Sequence, residues 1–494
     1  MVAVFQLEVL IPWALAMVFG LFIGATPGLT ATMAVALVTP LTFQIADPTI
    51  GLAILIGVSF TAIYAGDLPA TFLRIPGTPA SAAAMLDGYP LAQQGRGAFA
   101  AQINLLCAAL GGLIGVGILS LAAPQVARFA LRFSSFEYFW MAVLGLSISA
   151  LVSPAAAARG AFAASLGILL STVGLDQFGG ANQRYTFGVE ALYDGIPFIA
   201  AMIGLFGLSE ALRSAGGTSS PANKGVRVEP ASWKEGLGAI RARWALILRS
   251  SGLGAIIGAL PGAGADIAAW GAYGMAKKTH GRSEAFGKGS VSGVVGPSSA
   301  NNAAVAGAWI PALVFGIPGD AVTAIVLGAF LMYGLRPGPF IFEEEPERMG
   351  QILTIAAVTQ LLLIPAGMLG LRVFRTMMRA PRAAILTGVV VFSVVGSYAL
   401  RRSLSDVWIM VAFGVLGWAL ERRRVPLAPL ILGLILGPQI EENFRAGLIK
   451  SDGSLWPFFT RPISAVLFWV WVSAALIALV GAARRGRPAS DTRD

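Results

Sequence analysis

Charge is scarce in this chain. Asp, Glu, Lys and Arg make up 12% of its 494 residues, against 56% hydrophobic residues and a mean hydropathy of +0.75. A soluble domain carries about 25% charged residues, so these few charges cannot cover a water-facing surface of this size. Cysteine and histidine are scarcer still, with one of each. Cys107 sits inside an apolar run, where it can form no internal disulfide and reads as a small buried apolar residue. His280 lies in a charged stretch, and a lone His with a lone Cys makes neither a conventional zinc site nor a Ser/His/Asp triad. No glycine-rich run ends in Gly-Lys-Ser/Thr, which removes the Walker A loop and any sign of ATP hydrolysis. The composition points away from an enzyme and from a resident cofactor.

What is abundant is apolar sequence punctuated by 60 Gly and 28 Pro. Membrane helices tolerate both residues where neighbours re-satisfy the backbone. A spanning helix needs about 20 mostly apolar residues. Candidates run over 98–122, 135–152, 159–175, 195–213, 349–371, 383–400, 405–420 and 462–483, with a shorter run at 425–437. Broken or paired segments lie near 9–42, 50–86, 244–277 and 300–334. The N-terminal apolar stretch lacks a preceding basic region and a small-residue cleavage site, and reads as a first membrane helix. The expectation is an all-α polytopic membrane protein with about 12 crossings.

The net charge of +10 comes from basic residues in short loops, which is how the positive-inside rule sets orientation. No basic stripe with interleaved aromatics suggests nucleic acid. Arg213, Lys224, Arg227, Lys234, Arg241, Arg243 and Arg249 make 213–249 a cytoplasmic polar linker. Arg372, Arg375, Arg379 and Arg382, then Arg422–Arg424, mark further cytoplasmic loops, and Arg484, Arg485 and Arg487 place the C-terminus on that side. The acidic loop Glu343–Glu347 falls opposite. The expected organisation is a first membrane repeat over 1–212, the linker, a second repeat over 250–400, and C-terminal helices with a cytoplasmic tail over 401–494.

The repeat is the most informative feature. Gly20–Ala34 (GLFIGATPGLTATMA) matches Gly254–Ala268 (GAIIGALPGAGADIA) at eight of fifteen positions. Leu68–Gly77 (LPATFLRIPG) matches Ile310–Gly319 (IPALVFGIPG) at five of ten. The offsets, Pro27 to Pro261 and Pro76 to Pro318, are 234 and 242 residues, so the second copy carries a small insertion around Lys277–Lys288. Paired Gly/Pro-interrupted segments are the sequence pointer to a transporter binding site, and the two halves are expected to have inverted topology with re-entrant hairpins.

Four breaks carry the chemistry: Ala25-Thr26-Pro27-Gly28, Ile75-Pro76-Gly77-Thr78-Pro79, Leu260-Pro261-Gly262-Ala263-Gly264 and Ile317-Pro318-Gly319-Asp320. Proline removes an amide donor and glycine permits a reversal. Freed amides attract a carboxylate, and freed carbonyls coordinate a cation. The candidate cation ligands are Thr26, Pro27, Gly28, Pro261, Gly262, Gly264 and Asp266. The candidate substrate ligands are Asn301, Asn302, Ser298, Ser299, Thr78, Ser81, Arg74, Gly77 and Gly319. Hydroxyls and amides bind ions without adding charge to desolvate; the alternative for the Ser/Asn group is a helix cap. Arg74 can meet a substrate carboxylate, or bridge structurally to Asp67. Asp87, in Asp87-Gly88-Tyr89-Pro90, reads as a turn residue. Asp67 and Asp320 are further charges beside the breaks, of the kind that faces a cavity.

These residues resemble a known family. Gly24–Thr39, Ile75–Ser81 leading to Asp87–Pro90, Gly258–Tyr273, Ser299–Ala303, Gly316–Gly319, Arg336–Pro339, Gly396–Tyr398 and Gly433–Gly437 with Glu441-Glu442 are similar to the large membrane subunit of tripartite tricarboxylate transporters. The resemblance implies a secondary transporter in a bacterial inner membrane, driven by an ion gradient, usually Na⁺ and alternatively H⁺. It implies a small four-helix membrane partner and a periplasmic solute-binding protein that delivers a carboxylate such as citrate. The family pattern usually has Glu where this chain has Ser292, Ser298 and Ala276, which leaves the coupling ion open. A proton-coupled or uncoupled organic-anion permease, and a non-transporting scaffold or sensor, are the alternatives.

Overall fold

Proline and glycine decide where these helices stop. The computed structural model describes residues 2–27, 29–152, 157–176, 182–215, 232–262, 264–377 and 382–485. From the N-terminus, α1 is Leu7–Ala25, α2 Ala31–Thr42, α3 Pro48–Ala65, α4 Asp67–Leu73, α5 Ser81–Leu91 and α6 Gly97–Ala130. α7 (Ser135–Val152) and α8 (Ala157–Ser171) follow, then a two-residue hairpin of β1 (Gly174–Leu175) and β2 (Gln183–Arg184). α9 (Phe198–Met202) runs through a π turn into α10 (Ser209–Ala215). Next come α11 (Trp233–Ala242), α12 (Trp244–Gly258), α13 (Gly264–His280), α14 (Val291–Phe315) and α15 (Ala321–Met332). The chain closes with α16 (Ile341–Glu344), α17 (Pro346–Met377), α18 (Arg382–Arg401), α19 (Leu404–Arg422), α20 (Leu427–Lys450), α21 (Pro457–Thr460) and α22 (Pro462–Arg485).

Six helical stretches among the described residues are long and apolar enough to cross a membrane: 7–25, 48–73, 81–130, 346–372, 383–401 and 404–422. Several shorter apolar helices flank the breaks. This is a multi-pass, all-helical membrane protein. The short apolar run expected at 425–437 belongs to a helix that extends to Lys450, whose polar second half carries an ion pair between Glu441 and Arg445 one turn apart.

The chain packs as two compact units, residues 1–128 with 197–418, and 129–196 with 419–494. Each unit is built from two stretches that are separate in sequence. The expected linker contains α11 and the start of α12; Lys224 and Arg227 lie outside the described residues, as do Arg379 and Arg487.

In the larger unit, α3 and α14 are buried on every side along almost their whole length, as central helices are, and α14 carries Ser298, Ser299, Asn301 and Asn302 among its buried residues. α3 packs on α1, and α14 on α12, through closely matched contacts. A Cβ on Gly24 would lie 2.2 Å from the Ala62 carbonyl oxygen, and one on Gly258 would lie 2.1 Å from that of Ala304. Gly20 meets Val58 and Gly254 meets Ala300 in the same way. These four pairs obey the two sequence offsets, so Gly-x-x-x-Gly in each copy makes the same close backbone approach. The extra residues of the second copy lengthen α13 to His280 and enlarge the connection 281–290.

That connection is tied down by charge. Asp87 is buried in α5 and accepts N–H groups of Gly287, Gly289 and Ser290, and the Tyr273 hydroxyl. The turn expected at Asp87 is therefore a continuing helix: the carboxylate takes its partners from another segment, not its own backbone. Glu284 accepts from Ser290, Ser292 and Arg243. Burial opposes its ionisation, but those donors outweigh it and hold the carboxyl down at about 2. A carboxyl lowered from its ordinary value stabilises the fold above about pH 4.5 and loses that contribution as pH falls toward 2. Glu284→Gln is thus expected to melt lower than wild type at pH 7 and to lose less on acidification, as read by thermal unfolding across that range.

The smaller unit packs α7, α8, α20 and α22 around glycines. A Cβ on Gly167 would sit 2.0 Å from the Leu430 carbonyl oxygen, and one on Gly433 2.4 Å from that of Ala164. Glu441 bonds Arg184 and Arg445, and Arg445 also bonds Asp176. The Gly433–Gly437 and Glu441 signature is accounted for here by packing and ion pairing.

Candidate functional site

The breaks of the larger unit are built alike in the two copies. In the first, the Thr26 hydroxyl donates to the Phe22 carbonyl at 2.7 Å, and Thr30 caps α2 by accepting from the Met33 amide. Pro27 follows, and Gly28 lies outside the described residues. α3 is interrupted at Gly66, and α4 ends at Arg74, whose φ of 59° is left-handed. In the second copy α14 ends at Gly316 with a φ of 67°. Arg74 and Gly316 are equivalent at the 242-residue offset. Glycine adopts this conformation freely, while another L-residue there costs about 1 kcal/mol.

The next turn repeats as well. A Cβ on Gly77 would lie 2.6 Å from the Gly66 Cα and 3.0 Å from the Gly24 carbonyl oxygen. One on Gly319 would lie 2.7 Å from the Ala308 Cα and 2.9 Å from the Gly258 carbonyl oxygen. The Ser81 amide donates to Thr78 Oγ1 at 3.2 Å, as the Thr323 amide donates to Asp320 Oδ1 at 2.7 Å. The Thr78 and Ser81 hydroxyls bond each other at 2.7 Å, and the Thr323 hydroxyl donates to the Asp320 carboxylate at 2.8 Å. The caps themselves differ: Asp320 is the N-cap of α15 and closes a capping box with Thr323, whereas α5 has Ala80 at its N-cap and Thr78 bonds the Ser81 amide from the turn before it.

The two breaks of the second copy are joined, since the Gly262 amide donates to the Gly319 carbonyl at 2.8 Å. Gly264, with a φ of 63°, brings α13 beside the Asp320 Cβ. The carboxylate of Asp266 is exposed and faces both Asp320 and the Ala80 amide. A break of the second copy therefore meets a break of the first. Pro261 is buried beneath this meeting point. Arg74 does not reach it: the side chain is exposed, stacks over the Tyr89 ring at 5.7 Å, and forms no ion pair with Asp67 among the described residues.

Ser298, Ser299, Asn301 and Asn302 lie inside α14, not at its start. Ser290 is the cap, accepting from Gly293 at 3.0 Å, so the expectation that one of the four caps the helix is replaced. Ser299 donates to the Val295 carbonyl. Ser298 Oγ, Asn301 Oδ1 and both amide atoms of Asn302 are buried without a hydrogen-bond partner. Buried polar atoms are paired in the large majority of cases. Three such residues on two turns of the central helix mark it as a place built to hydrogen-bond something other than itself.

Sequence reasoning assigned no role to several residues of the same kind. Tyr64, Asn104, Ser250 and Ser251 also bury unpartnered polar atoms, and so does Asp67. The signal for Tyr64 and Asn104 is a lone polar residue within an apolar run and for Ser250 and Ser251 a polar pair after Arg249, whereas Asp67 is already marked by its charge beside a break. A surface cavity of about 220 Å³ lined by Pro48, Thr49, Leu52, Leu335, Glu347, Arg348 and Gln351 shares no residue with the predicted site. Among the described residues no group of three His, Cys, Asp or Glu is placed to hold a metal ion.

Comparison with known proteins agrees with the transporter-like geometry. A protein of *Agrobacterium vitis* described as an uncharacterized 52.8 kDa protein in the TAR-I ttuC' 3' region is 34% identical over 470 residues, which cover 95% of this chain and 92% of that protein. A second protein of that organism, from the TAR-II ttuC' 3' region, is 34% identical over 234 residues, covering 47% of this chain and 97% of its own length. No solved structure matches significantly. The model of the tripartite tricarboxylate transporter TctA family matches residues 10–432. With the repeated breaks and the polar centre of α14, that match places the chain in the tripartite tricarboxylate transporter TctA family, as a transporter subunit.

Proposed function

We propose that this subunit imports a di- or tricarboxylate, citrate-like in charge, coupled to a cation gradient, Na⁺ in the first instance. It does so in a bacterial inner membrane with its C-terminus in the cytoplasm, beside a small four-helix membrane subunit and fed by a periplasmic binding protein. The observation that carries the reading is the unpartnered polar set on α14, the buried helix of the second broken-helix unit. Asn301, Asn302 and Ser298 supply neutral hydrogen bonds to the anion, Gly77 and Gly319 let backbone approach it, and Ser299, Thr78 and Ser81 shape the wall. Thr26, Pro27, Gly28, Pro261, Gly262, Gly264 and Asp266 line the cation path, where Asp266 supplies a charge. Inverted topology of the two halves would let one copy rock against the other around this centre.

Uptake of labelled carboxylates into proteoliposomes holding the assembled transporter tests the reading, with and without a Na⁺ gradient and with the binding protein added. Gradient-dependent uptake is expected. Flux independent of any Na⁺ gradient would assign a proton-coupled or uncoupled permease. No flux with any ligand the binding protein accepts would assign a scaffold.

Arg74 gives a separable prediction. It keeps a left-handed conformation that glycine occupies in the other copy, which fits a side chain retained for contact with a carboxylate at the mouth of the site. Arg74→Gly is expected to leave the melting temperature unchanged or raised, by up to about 1 kcal/mol of relieved strain, while the KM for uptake rises. An unchanged KM removes Arg74 from the substrate path.

A further inference from the structure

Asp67 is a buried carboxylate with no cationic partner. It opens α4, directly after the Gly66 interruption, and is 2% exposed. Ser81, at the start of α5, and Asn104, on α6, flank its carboxyl group. Tyr64, one turn earlier on α3, lies within its field. Ser81, Asn104 and Tyr64 are each fully buried. Asp67 Oδ1, Asn104 Oδ1 and Nδ2 and the Tyr64 hydroxyl all lack a hydrogen-bond partner. The Ser81 hydroxyl bonds the Thr78 hydroxyl and also lies within hydrogen-bonding reach of the Asp67 carboxyl group, as does the Asn104 side chain. Gly66 brings the elements together, since a Cβ there would sit 3.3 Å from Ser81 Oγ.

An ionised carboxylate in an apolar membrane interior costs several kcal/mol unless a counter-charge meets it. No ion pair among the described residues includes Asp67. The donors around it are hard oxygens: a carboxylate, an amide carbonyl and hydroxyls. Such a set suits a hard cation and not a soft or borderline metal. One carboxylate balances one positive charge, and a divalent ion would leave an uncompensated charge in a low-dielectric core. The second copy has Trp309 at the position equivalent to Asp67, so the feature belongs to one half only.

We propose that Asp67, Asn104, Ser81 and Tyr64 form a binding site for one monovalent cation of Na⁺ size in the first repeat, behind the Pro-Gly tip and sharing Ser81 with it. It deepens the cation-coupled reading and rests on that reading for its purpose. Occupancy neutralises Asp67 and ties α4, α5 and α6 together behind the Gly77 turn, which is how ion binding is coupled to the shape of the break.

The test uses the purified full-length protein and needs no carboxylate. Equilibrium binding of radiolabelled Na⁺ and thermal unfolding are read at pH 7.5 in NaCl, KCl or choline chloride of equal ionic strength. Saturable binding and Na⁺-specific stabilisation are expected for the wild type. Asp67→Asn is expected to bind one ion fewer per chain, or to weaken Na⁺ binding at least tenfold. Asn104→Ala is expected to weaken it about tenfold while remaining monodisperse, and it carries the test if Asp67→Asn does not fold. Unchanged Na⁺ affinity and stoichiometry in both variants overturns the site. Stabilisation that follows pH and ignores Na⁺ overturns it in favour of a proton. Na⁺ binding retained by a protein that moves no carboxylate sinks the transport reading and leaves the site standing.

Discussion

Asn302→Ala is expected to lower carboxylate uptake at least tenfold while the protein keeps its wild-type melting temperature, and Asn301→Ala to do nearly the same. The two readouts diverge because of what the amides lack. A buried polar group left without a partner costs about 1–3 kcal/mol, so the Asn302 side chain, with both amide atoms unpartnered, is a burden on the fold by itself. Alanine removes that burden and opens a small cavity, and the two effects nearly offset. For the anion the balance is one-sided. A hydrogen bond to a charged group contributes about 1.5–3 kcal/mol, and each 1.4 kcal/mol is tenfold in affinity. One lost amide therefore costs about ten- to a hundredfold in transport of limiting substrate. Ser299→Ala is the control, because its hydroxyl already donates to the Val295 carbonyl and has less to offer a ligand. Uptake in proteoliposomes and unfolding followed by tryptophan fluorescence decide it. Parallel losses of uptake and stability would show that the asparagines serve packing.

The sequence made the breaks legible for a physical reason. Pro27, Pro76, Pro261 and Pro318 cannot donate within a helix, and the following glycines allow a reversal, so each break is written in two adjacent letters. The close helix contacts were legible too, since Gly20/Gly24 and Gly254/Gly258 recur at one offset and meet the backbone of Val58/Ala62 and Ala300/Ala304. Polar partnerships were not. Asp87 followed by Gly-Tyr-Pro carries the composition of a turn, yet its carboxylate is satisfied by amides about two hundred residues away, and local reading has no access to such donors. The Ser/Asn group on α14 read first as a site, with a cap as the alternative for one of the four, because hydroxyls and amides serve both roles. What separates the two is the position of the helix start, and Ser290 sets it eight residues before Ser298. Asn104 gave no signal, since one Asn in a 34-residue helix has no periodicity to mark it.

Gly24→Ala and Gly258→Ala are expected to lower the melting temperature by similar amounts and to abolish uptake, although each adds one methyl group. A carbon at these positions would stand 2.2 and 2.1 Å from the carbonyl oxygens of Ala62 and Ala304, and 2.9 and 2.8 Å from their Cα atoms. The obstruction is backbone, which cannot rotate away as a side chain can. The helices must separate, and overpacking of this kind costs about 1–3 kcal/mol or more. The functional loss follows from what rests on the same glycines. The Gly24 carbonyl lies against Gly77 and the Gly258 carbonyl against Gly319, so moving α1 from α3, or α12 from α14, displaces the turn that opens each half-helix. Gly252→Ala on α12 is the matched control: nothing lies within 4 Å of its Cβ position, and alanine in a helix interior is favoured over glycine by about 1 kcal/mol. It should melt at or above the wild-type temperature and transport normally. If Gly258→Ala behaves like Gly252→Ala, the helix pair is not in the close contact that positions Gly319. The breaks would then be set by proline alone.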